Sequence, residues 1–191
     1  MNTLEAVYGQ ESSFGTLLGT RGSTKAAGHF QLQPETAKRY GLSVSKNNDH
    51  RFDLDDASSA GARYLKDLDT MFSKKTTLSR DKETVAVKSA VERKKFVLAA
   101  YRGGEGRIAG AQRLAENAGS HPQRWSDVQQ FLELAGADKD TANQIRHYVQ
   151  QVIPYEMEFA QKSPAVKNIK HKDVRKEASR CTEGHWVTID E

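Results

Sequence analysis

The chain is poor in the features that define several protein classes. Its 191 residues include one cysteine, Cys181, which excludes an internal disulfide framework. No stretch approaches the roughly 18 apolar residues of a membrane span, and the best apolar run, 96–101, has the length of a core segment. The first residues lack the basic start and apolar centre of a secretory signal. We also find no internal repeat. Together these absences exclude a disulfide scaffold, a membrane protein and a fibrous repeat protein.

Charge is distributed unevenly along the chain. Residues 162–180 contain seven Lys or Arg and only two acidic residues, Asp173 and Glu177, so their local net charge is +5. The first 161 residues are nearly neutral, with a net charge of +2. This pattern predicts one domain over residues 1–160 and a basic, flexible tail or linker over 161–191. Nucleic-acid binding by the basic run is the alternative, but we find no recognition-helix motif and expect no specific nucleic-acid partner.

Helical periodicity dominates the first 160 residues. Leu4, Val7, Tyr8 and Glu11 are spaced as one face of a short first helix. Further helices are predicted at 34–40, 56–72, 93–101, 108–118, 128–135 and 145–159, several of them closed by a glycine. Residues 74–92 are polar without a clear period and predict a loop. No segment alternates for long between apolar and polar residues, so the predicted fold class is all-α.

Glu11 is the most distinctive candidate for chemistry. It continues the apolar stripe of the first helix, so a carboxylate stands where the core face expects an apolar group. Desolvation at such a position raises the pKa of a carboxyl group, which suits a general acid working near neutral pH. The alternative interpretation is a solvated glutamate at a fraying helix end.

Two glycine-containing segments are further candidates. In the segment 28–34, a glycine-led loop enters a helix at Pro34 and can direct backbone groups and Gln31 toward a ligand. In the segment 99–107, an aromatic hydroxyl, Tyr101, precedes a glycine turn between two helices. The turn lacks the order of a dinucleotide-binding fingerprint. Each segment taken alone is also compatible with a simple junction between elements.

Four short motifs nevertheless occur in a fixed order: Glu11-Ser12, Gly28-x-x-Gln31, Ala100-Tyr101-x-x-Gly104-x-Gly106-Arg107, and Tyr148-Val149-x-x-Val152-x-x-Tyr155. In this order and at these spacings they resemble the soluble lytic murein transglycosylase family, whose lysozyme-like domains cleave the glycan strands of peptidoglycan. The resemblance covers residues 4–160 and implies a helical, lysozyme-like fold.

The resemblance also implies roles for five residues. Glu11 matches the catalytic acid/base of the family, and Ser12 matches the serine beside it. Gln31 matches the last position of the family's Gly-Leu-Met-Gln motif, and Tyr101 matches the tyrosine of its Ala-Tyr-Asn motif, which lines the site. Tyr155 matches the aromatic residue that closes the fourth motif and supports the catalytic helix. We therefore expect Ser12, Gln31, Tyr101 and Tyr155 to contribute to substrate binding around Glu11.

The chain departs from the family pattern in several places. His29 and Phe30 replace Leu-Met, Arg102 stands where Asn is usual, and Glu105 stands where Pro is common. A glycan contact made by that Asn therefore cannot be transferred to this chain. Only ten residues precede Glu11, where most members have a further helix, so we expect either a shortened domain or part of a longer protein.

The family's chemistry needs one carboxylate and implies no metal and no organic cofactor. Glu11 would cleave the MurNAc-β-1,4-GlcNAc bond with formation of a 1,6-anhydro-MurNAc end. Hydrolysis, as in goose-type lysozymes of related fold, is the alternative and needs a second carboxylate. The candidates are Asp53, Asp55, Asp56 and Glu105, of which Asp53 or Asp55 is more simply the cap of the helix 56–72 and Glu105 is expected to be solvated.

A non-catalytic wall-binding module is a second alternative. The segment 184–190 resembles a short stretch of some phage structural proteins, so the chain could belong to a larger phage or secretion assembly. We expect the partner to be peptidoglycan glycan strands and the place of action to be the periplasm or cell wall, reached without a signal in this chain. A metal site built from Cys181, His171 and His185 is a weaker alternative.

Overall fold

The computed structural model describes residues 2–79 and 81–162, and of residue 2 and residues 155–162 it describes the backbone only. The described part is mostly helical. In chain order its helices are α1 (Asn2–Ser12), α2 (Pro34–Arg39), α3 (Leu54–Ser73), α4 (Ala90–Gly103), α5 (Glu105–Asn117), α6 (Trp125–Val128) and α7 (Lys139–Lys162). Short 3-10 helices, His50–Phe52 and Gln129–Phe131, precede α3 and follow α6.

Most helices begin and end within a few residues of the predicted positions. The helix predicted at 128–135 was wrong, because α6 ends at Val128 and only the 3-10 turn Gln129–Phe131 follows it, and α7 begins at Lys139, six residues before the predicted start. The Asp53 side chain accepts a hydrogen bond from the Asp56 amide at 3.0 Å and so caps α3, as the sequence indicates. The α2 helix begins at Pro34 and is followed by Gly41, which adopts φ +87°. The α7 helix continues past Pro154. The all-α prediction is therefore confirmed for the described residues.

One predicted loop contains a small sheet. Strands β1 (Thr77–Ser79) and β2 (Lys82–Glu83) pair antiparallel, with Thr77 opposite Glu83. The hairpin is held to the helices by buried Thr84, whose hydroxyl donates to the Met71 carbonyl oxygen at 2.8 Å. The prediction of a loop at 74–92 was therefore wrong for these strands, and also for the first residues of α4.

A single apolar core joins the long helices. The α7 helix packs against α1 and α4, and α4 packs in turn against α3 and α5. Phe72, Phe96, Leu98, Ile108 and Ile145 are fully buried in this core. Gly103, at the end of α4, lies so close to α7 that a Cβ atom there would stand 2.5 Å from Ile145 Cδ1. This close approach fixes the end of α4 against α7.

Candidate active site

The end of α1 presents Glu11 to a cleft. Ser12 follows it and is fully buried, and its hydroxyl accepts a hydrogen bond from the Gly15 amide at 3.0 Å and donates to the Tyr8 carbonyl oxygen. Ser13 and Phe14 then adopt positive φ values of 48° and 55°, which end the helix. The role of Ser12 in the described structure is thus to hold the turn behind Glu11.

The environment of Glu11 raises its pKa from 4.5 to about 7. The dominant cause is desolvation by burial, which disfavours the charged carboxylate. Two neighbours act in the opposite direction, the Tyr148 hydroxyl and the Arg102 guanidinium. The Tyr148 hydroxyl is buried beside the carboxyl group but forms no well-aligned hydrogen bond with any described residue. A carboxyl group with this pKa is partly protonated near neutral pH and can both donate and accept a proton.

Two cavities meet at Glu11 and together form the cleft. They have volumes of about 300 and about 320 Å³, and both are lined by Glu11, Gln31 and Arg102. The first lobe extends over Gln33, Tyr64, Tyr101, Glu105 and Arg107, among others. The second lobe is lined in addition by Gln10, Gln144, His147 and Tyr148. A chain-like ligand that filled both lobes would pass Glu11 in the middle.

The loop that carries Gln31 is held in a specific conformation. Gln31 itself has φ +45°, and its side-chain amide donates to the Gly28 carbonyl oxygen at 2.9 Å. Gly28 has φ +82°, and a Cβ atom there would lie 2.0 Å from the Arg51 carbonyl oxygen, so only glycine fits. The matched glycine and glutamine therefore form one turn that places Gln31 between the two lobes.

The sequence analysis missed the buried ion pair that supports this loop. Arg51 is fully buried and binds Asp49 with two hydrogen bonds, of 2.9 and 2.8 Å. Its guanidinium also donates to the carbonyl oxygens of Ser23, Lys25 and Leu32. The pair thereby ties both sides of the loop together. No motif marks it in the sequence, because the groups that Arg51 ties together beyond Asp49 are backbone carbonyl groups.

Tyr101 connects α4 to the same loop. Its hydroxyl donates to the Phe30 carbonyl oxygen at 2.8 Å, and its ring lies parallel to that of Tyr148, with 6.5 Å between ring centroids. Burial raises the pKa of Tyr101 well above 10, and Glu11 and Tyr64 add to this effect. Tyr101 is therefore a neutral aromatic wall of the first lobe beside Glu11.

The second carboxylate of the first lobe, Glu105, stands in a different environment. It accepts hydrogen bonds from Arg39 Nη1 at 3.2 Å and from the Tyr64 hydroxyl at 3.4 Å. Its side chain is 21% exposed, so the expectation that it is solvated was wrong. The other three candidates for a second carboxylate, Asp53, Asp55 and Asp56, line neither lobe. Asp53 caps α3, and Asp56 pairs with His50.

The structure thus brings three of the five predicted residues to one cleft: Glu11, Gln31 and Tyr101. Ser12 lies behind the cleft, in the turn. The side chain of Tyr155 lies outside the described residues, although its backbone belongs to α7. The basic run beyond Lys162, the histidines and cysteine near the end of the chain, and the segment 184–190 lie outside them as well.

Two general features of the described residues bear on function. No three His, Cys, Asp or Glu side chains in residues 2–79 and 81–154 come close enough together to hold a metal ion. No helix within the described part of the chain is both long and apolar enough to cross a membrane.

A helical, lysozyme-like domain with a desolvated glutamate between two lobes of a cleft is typical of enzymes that act on polysaccharides. The comparison with known families identifies the particular one: residues 1–123 match the model of the transglycosylase SLT domain. The chain belongs to this family.

Curated relatives agree with this assignment. The chain is 30% identical to a membrane-bound lytic murein transglycosylase F of Shewanella loihica over 131 residues, 69% of this chain and 23% of the relative. It is 32% identical to the protein of the same name from Shewanella frigidimarina over 136 residues, 71% of this chain and 24% of the relative. The Salmonella choleraesuis protein is 33% identical over 69% of this chain and 22% of its own length. The chain therefore spans about a quarter of the length of these relatives.

Proposed function

We propose that this chain is a peptidoglycan lytic transglycosylase in which Glu11 is the sole acid/base. The observation that carries the proposal is the Glu11 carboxyl group, with a pKa of about 7, at the junction of two lobes. Membership in the transglycosylase SLT domain family and the names of the curated relatives support the substrate class, because murein is peptidoglycan.

The chemistry proceeds in two steps. Protonated Glu11 donates its proton to the oxygen that links MurNAc to GlcNAc, and the bond from the anomeric carbon to that oxygen breaks. The substrate's own N-acetyl oxygen stabilises the positive charge that develops at the anomeric carbon. The Glu11 carboxylate then removes the proton of the MurNAc C6 hydroxyl, which attacks the anomeric carbon and closes a 1,6-anhydro ring. Glu11 ends the cycle protonated, and no water is consumed.

An intramolecular nucleophile explains why one carboxylate is sufficient. The C6 hydroxyl is held on the same sugar as the anomeric carbon, so its effective concentration is high and no second group is needed to position water. A pKa of about 7 suits both half-reactions, since Glu11 acts first as an acid and then as a base. Gln31 and Tyr101, which border the carboxyl group, are proposed to orient the sugar.

A second candidate reaction, hydrolysis, is favoured by one observation: Glu105 lines the same lobe as Glu11. A retaining or inverting glycosidase uses two carboxyl groups, one on each side of the scissile bond. The contacts of Glu105 with Arg39 and Tyr64 argue against this role, because they engage the oxygen atoms that would activate water.

The products of digestion decide between these reactions. Purified peptidoglycan is incubated with the protein, and the released fragments are analysed by mass spectrometry. We expect fragments that end in 1,6-anhydro-MurNAc, each lighter by one water than a hydrolytic product. Reducing ends would establish hydrolysis instead. Folded protein that sediments with the wall but releases nothing would indicate a binding module.

We also propose that residues 161–191 form a basic extension outside the catalytic domain, and that the protein acts at the cell wall. The proposal for the extension is supported by the basic run 162–180, whose local balance is +5, against +2 over the whole of the first 161 residues. A place in a phage or secretion assembly depends on the segment 184–190 and stays a prediction. Removal of residues 163–191 tests the extension, with unchanged turnover of soluble glycan strands as the expected result.

A further inference from the structure

Arg102 is a cation in the cleft with an incomplete set of partners. It lines both lobes where they meet at Glu11. Its one hydrogen bond with a described residue goes from Nη2 to the Gln144 side-chain oxygen of α7 at 2.7 Å. A guanidinium group has five N–H donors, so most of its donors have no partner among the described residues.

The other arginines near the cleft differ from Arg102. Arg39 is paired with the Glu105 carboxylate at 3.2 Å. Arg107 lines the first lobe but not the second. Its guanidinium donates to the carbonyl oxygen of Gly103, four residues earlier in the chain. Arg102, in contrast, is held by the neutral amide of Gln144. It forms no hydrogen bond with an acidic side chain among the described residues. It also lies beside Glu11, where the proposed cleavage takes place.

We propose that Arg102 binds a carboxylate carried by the muramic acid residue that lies next to Glu11. This inference rests on the proposed function and assigns a specificity-determining residue to it. The planar fork of a guanidinium matches a carboxylate with two parallel hydrogen bonds. Gln144 bonds one nitrogen and thereby orients the group before a ligand arrives. The SLT resemblance predicts no such contact, since Asn is usual at this position.

Peptidoglycan offers this carboxylate in two ways. The lactyl group of muramic acid ends in a free carboxylate wherever the stem peptide has been removed. Where the peptide is present, the lactyl group is an amide, and the carboxylates belong to the peptide. Both sources are attached, directly or through the stem peptide, to the sugar at which the proposed bond cleavage takes place.

Binding of a carboxylate also connects to the acid step. Arg102 alone favours the charged form of Glu11. A carboxylate bound to Arg102 offsets its charge, so the protonated form of Glu11 is favoured once substrate is in place. The acid would then be in the correct protonation state when the substrate arrives.

The test compares the kcat/KM of four proteins on three substrates. The proteins are wild type, Arg102→Asn with the family residue, Arg102→Lys with the charge but without the fork, and Arg113→Asn as a matched control. Arg113 is an exposed arginine on α5 that bonds the Asp81 carbonyl oxygen and lines neither lobe. The substrates are glycan strands with stem peptides, strands with the peptides removed, and peptide-free strands whose lactyl carboxylates have been converted to methylamides.

The assay is run at about pH 5.5, where Glu11 with its pKa of about 7 is protonated and a carboxyl group with an ordinary pKa of about 3.5 is still ionised. Differences between proteins then report binding and not titration of Glu11. We expect wild type to prefer peptide-free strands over the methylamide form by about tenfold in kcat/KM, and Arg102→Asn to cleave the two forms with similar kcat/KM. Arg102→Lys is expected to retain part of the preference, and Arg113→Asn all of it.

The three substrates distinguish a lactyl carboxylate from a peptide carboxylate. They also distinguish failure of the Arg102 proposal from failure of the proposed function. A wild-type preference for strands with stem peptides, lost in Arg102→Asn, would assign the carboxylate to the peptide and still support the proposal. An unchanged preference in Arg102→Asn, or equal rates of wild type on all three substrates, would overturn it. Absence of cleavage of every substrate by wild type would instead overturn the proposed function on which it rests.

Discussion

Two glutamates in one cleft have opposite environments. Glu11, at the end of α1, is desolvated, has the buried hydroxyl of Tyr148 as a neighbour, and has a pKa of about 7. Glu105, at the start of α5, is held by Arg39 and by the Tyr64 hydroxyl. The side-chain chemistry is identical, so the difference comes from the surroundings alone.

The comparison supports the proposal that Glu11 is the acid/base of the pair. Glu105 has both of its carboxyl oxygens engaged, one by Arg39 at 3.2 Å and the other by the Tyr64 hydroxyl at 3.4 Å. A carboxyl group whose burial is not compensated by a cation hydrogen bond has its two protonation states close in free energy. The cleft thus has one group suited to proton transfer and one suited to holding α2, α3 and α5 together.

The largest effect on activity is expected when each glutamate is replaced in turn by glutamine. We expect Glu11→Gln to lower kcat on peptidoglycan by about 1,000-fold, because the amide has no proton to give. Glu105→Gln, the matched control, should change kcat by less than about fivefold, since its partner Arg39 is 55% exposed and their ion pair is weak. Fragment release quantified by chromatography measures both. Substantial activity in Glu11→Gln, with loss in Glu105→Gln, would reverse the assignment.

The second prediction concerns stability. The folded-state pKa of Glu11 is about 7 and its ordinary value is 4.5, so the folded state binds the proton more tightly than the unfolded state. The free energy of unfolding therefore falls as pH rises from about 4.5 to about 7, and the charged Glu11 costs up to about 3 kcal/mol above that range.

Glu11→Gln removes this cost because its amide stays neutral. We expect the variant to unfold at higher urea concentration than wild type at pH 8 and at the same concentration at pH 4. Circular dichroism during urea titration at both pH values measures the effect. Equal stability of the two proteins at both pH values would mean that Glu11 is solvated, the alternative that the sequence left open.

Much of this arrangement could be predicted from the sequence, since it depends on local patterns. The apolar stripe before Glu11 predicts both α1 and a desolvated carboxylate, and the resemblance to the transglycosylase family implies that Gln31 and Tyr101 lie at the same site. The capping of α3 by Asp53 follows from the residue types at the helix start. Each of these signals lies within one short segment of the chain.

The remainder depends on contacts between distant segments. Glu105 looks solvated in its glycine turn, and only the fold brings Arg39, which is 66 positions away, to it. The Arg51–Asp49 pair supports the Gln31 loop mainly through carbonyl groups, which every residue has. The hairpin at 77–83 has short, polar strands without alternation, and its anchor, Thr84, depends on the carbonyl groups at the end of α3.

A smaller effect on activity is expected from Tyr148, the tyrosine beside Glu11. The Tyr148 hydroxyl lowers the pKa of Glu11, so Tyr148→Phe should raise that pKa. The alkaline limb of the pH–activity profile, where the acid loses its proton, should move to higher pH, with a change in maximal rate of less than about tenfold. A pH–rate profile from pH 5 to 9 tests this. A limb that moves to lower pH would show that Tyr148 stabilises the protonated acid instead.

The smallest effect is expected at the Glu105 ion pair. The Arg39 side chain is 55% exposed, so solvent weakens the pair, and Glu105→Gln should lower the free energy of unfolding by less than about 1 kcal/mol at neutral pH. The Tyr64 hydroxyl can still donate to the amide oxygen, which limits the loss. Urea titration of Glu105→Gln and Arg39→Gln, singly and together, measures the coupling between the two side chains. A coupling well above 1 kcal/mol would mean that the pair is far less hydrated than its exposure indicates, and Glu105 would then be a principal determinant of the cleft's shape.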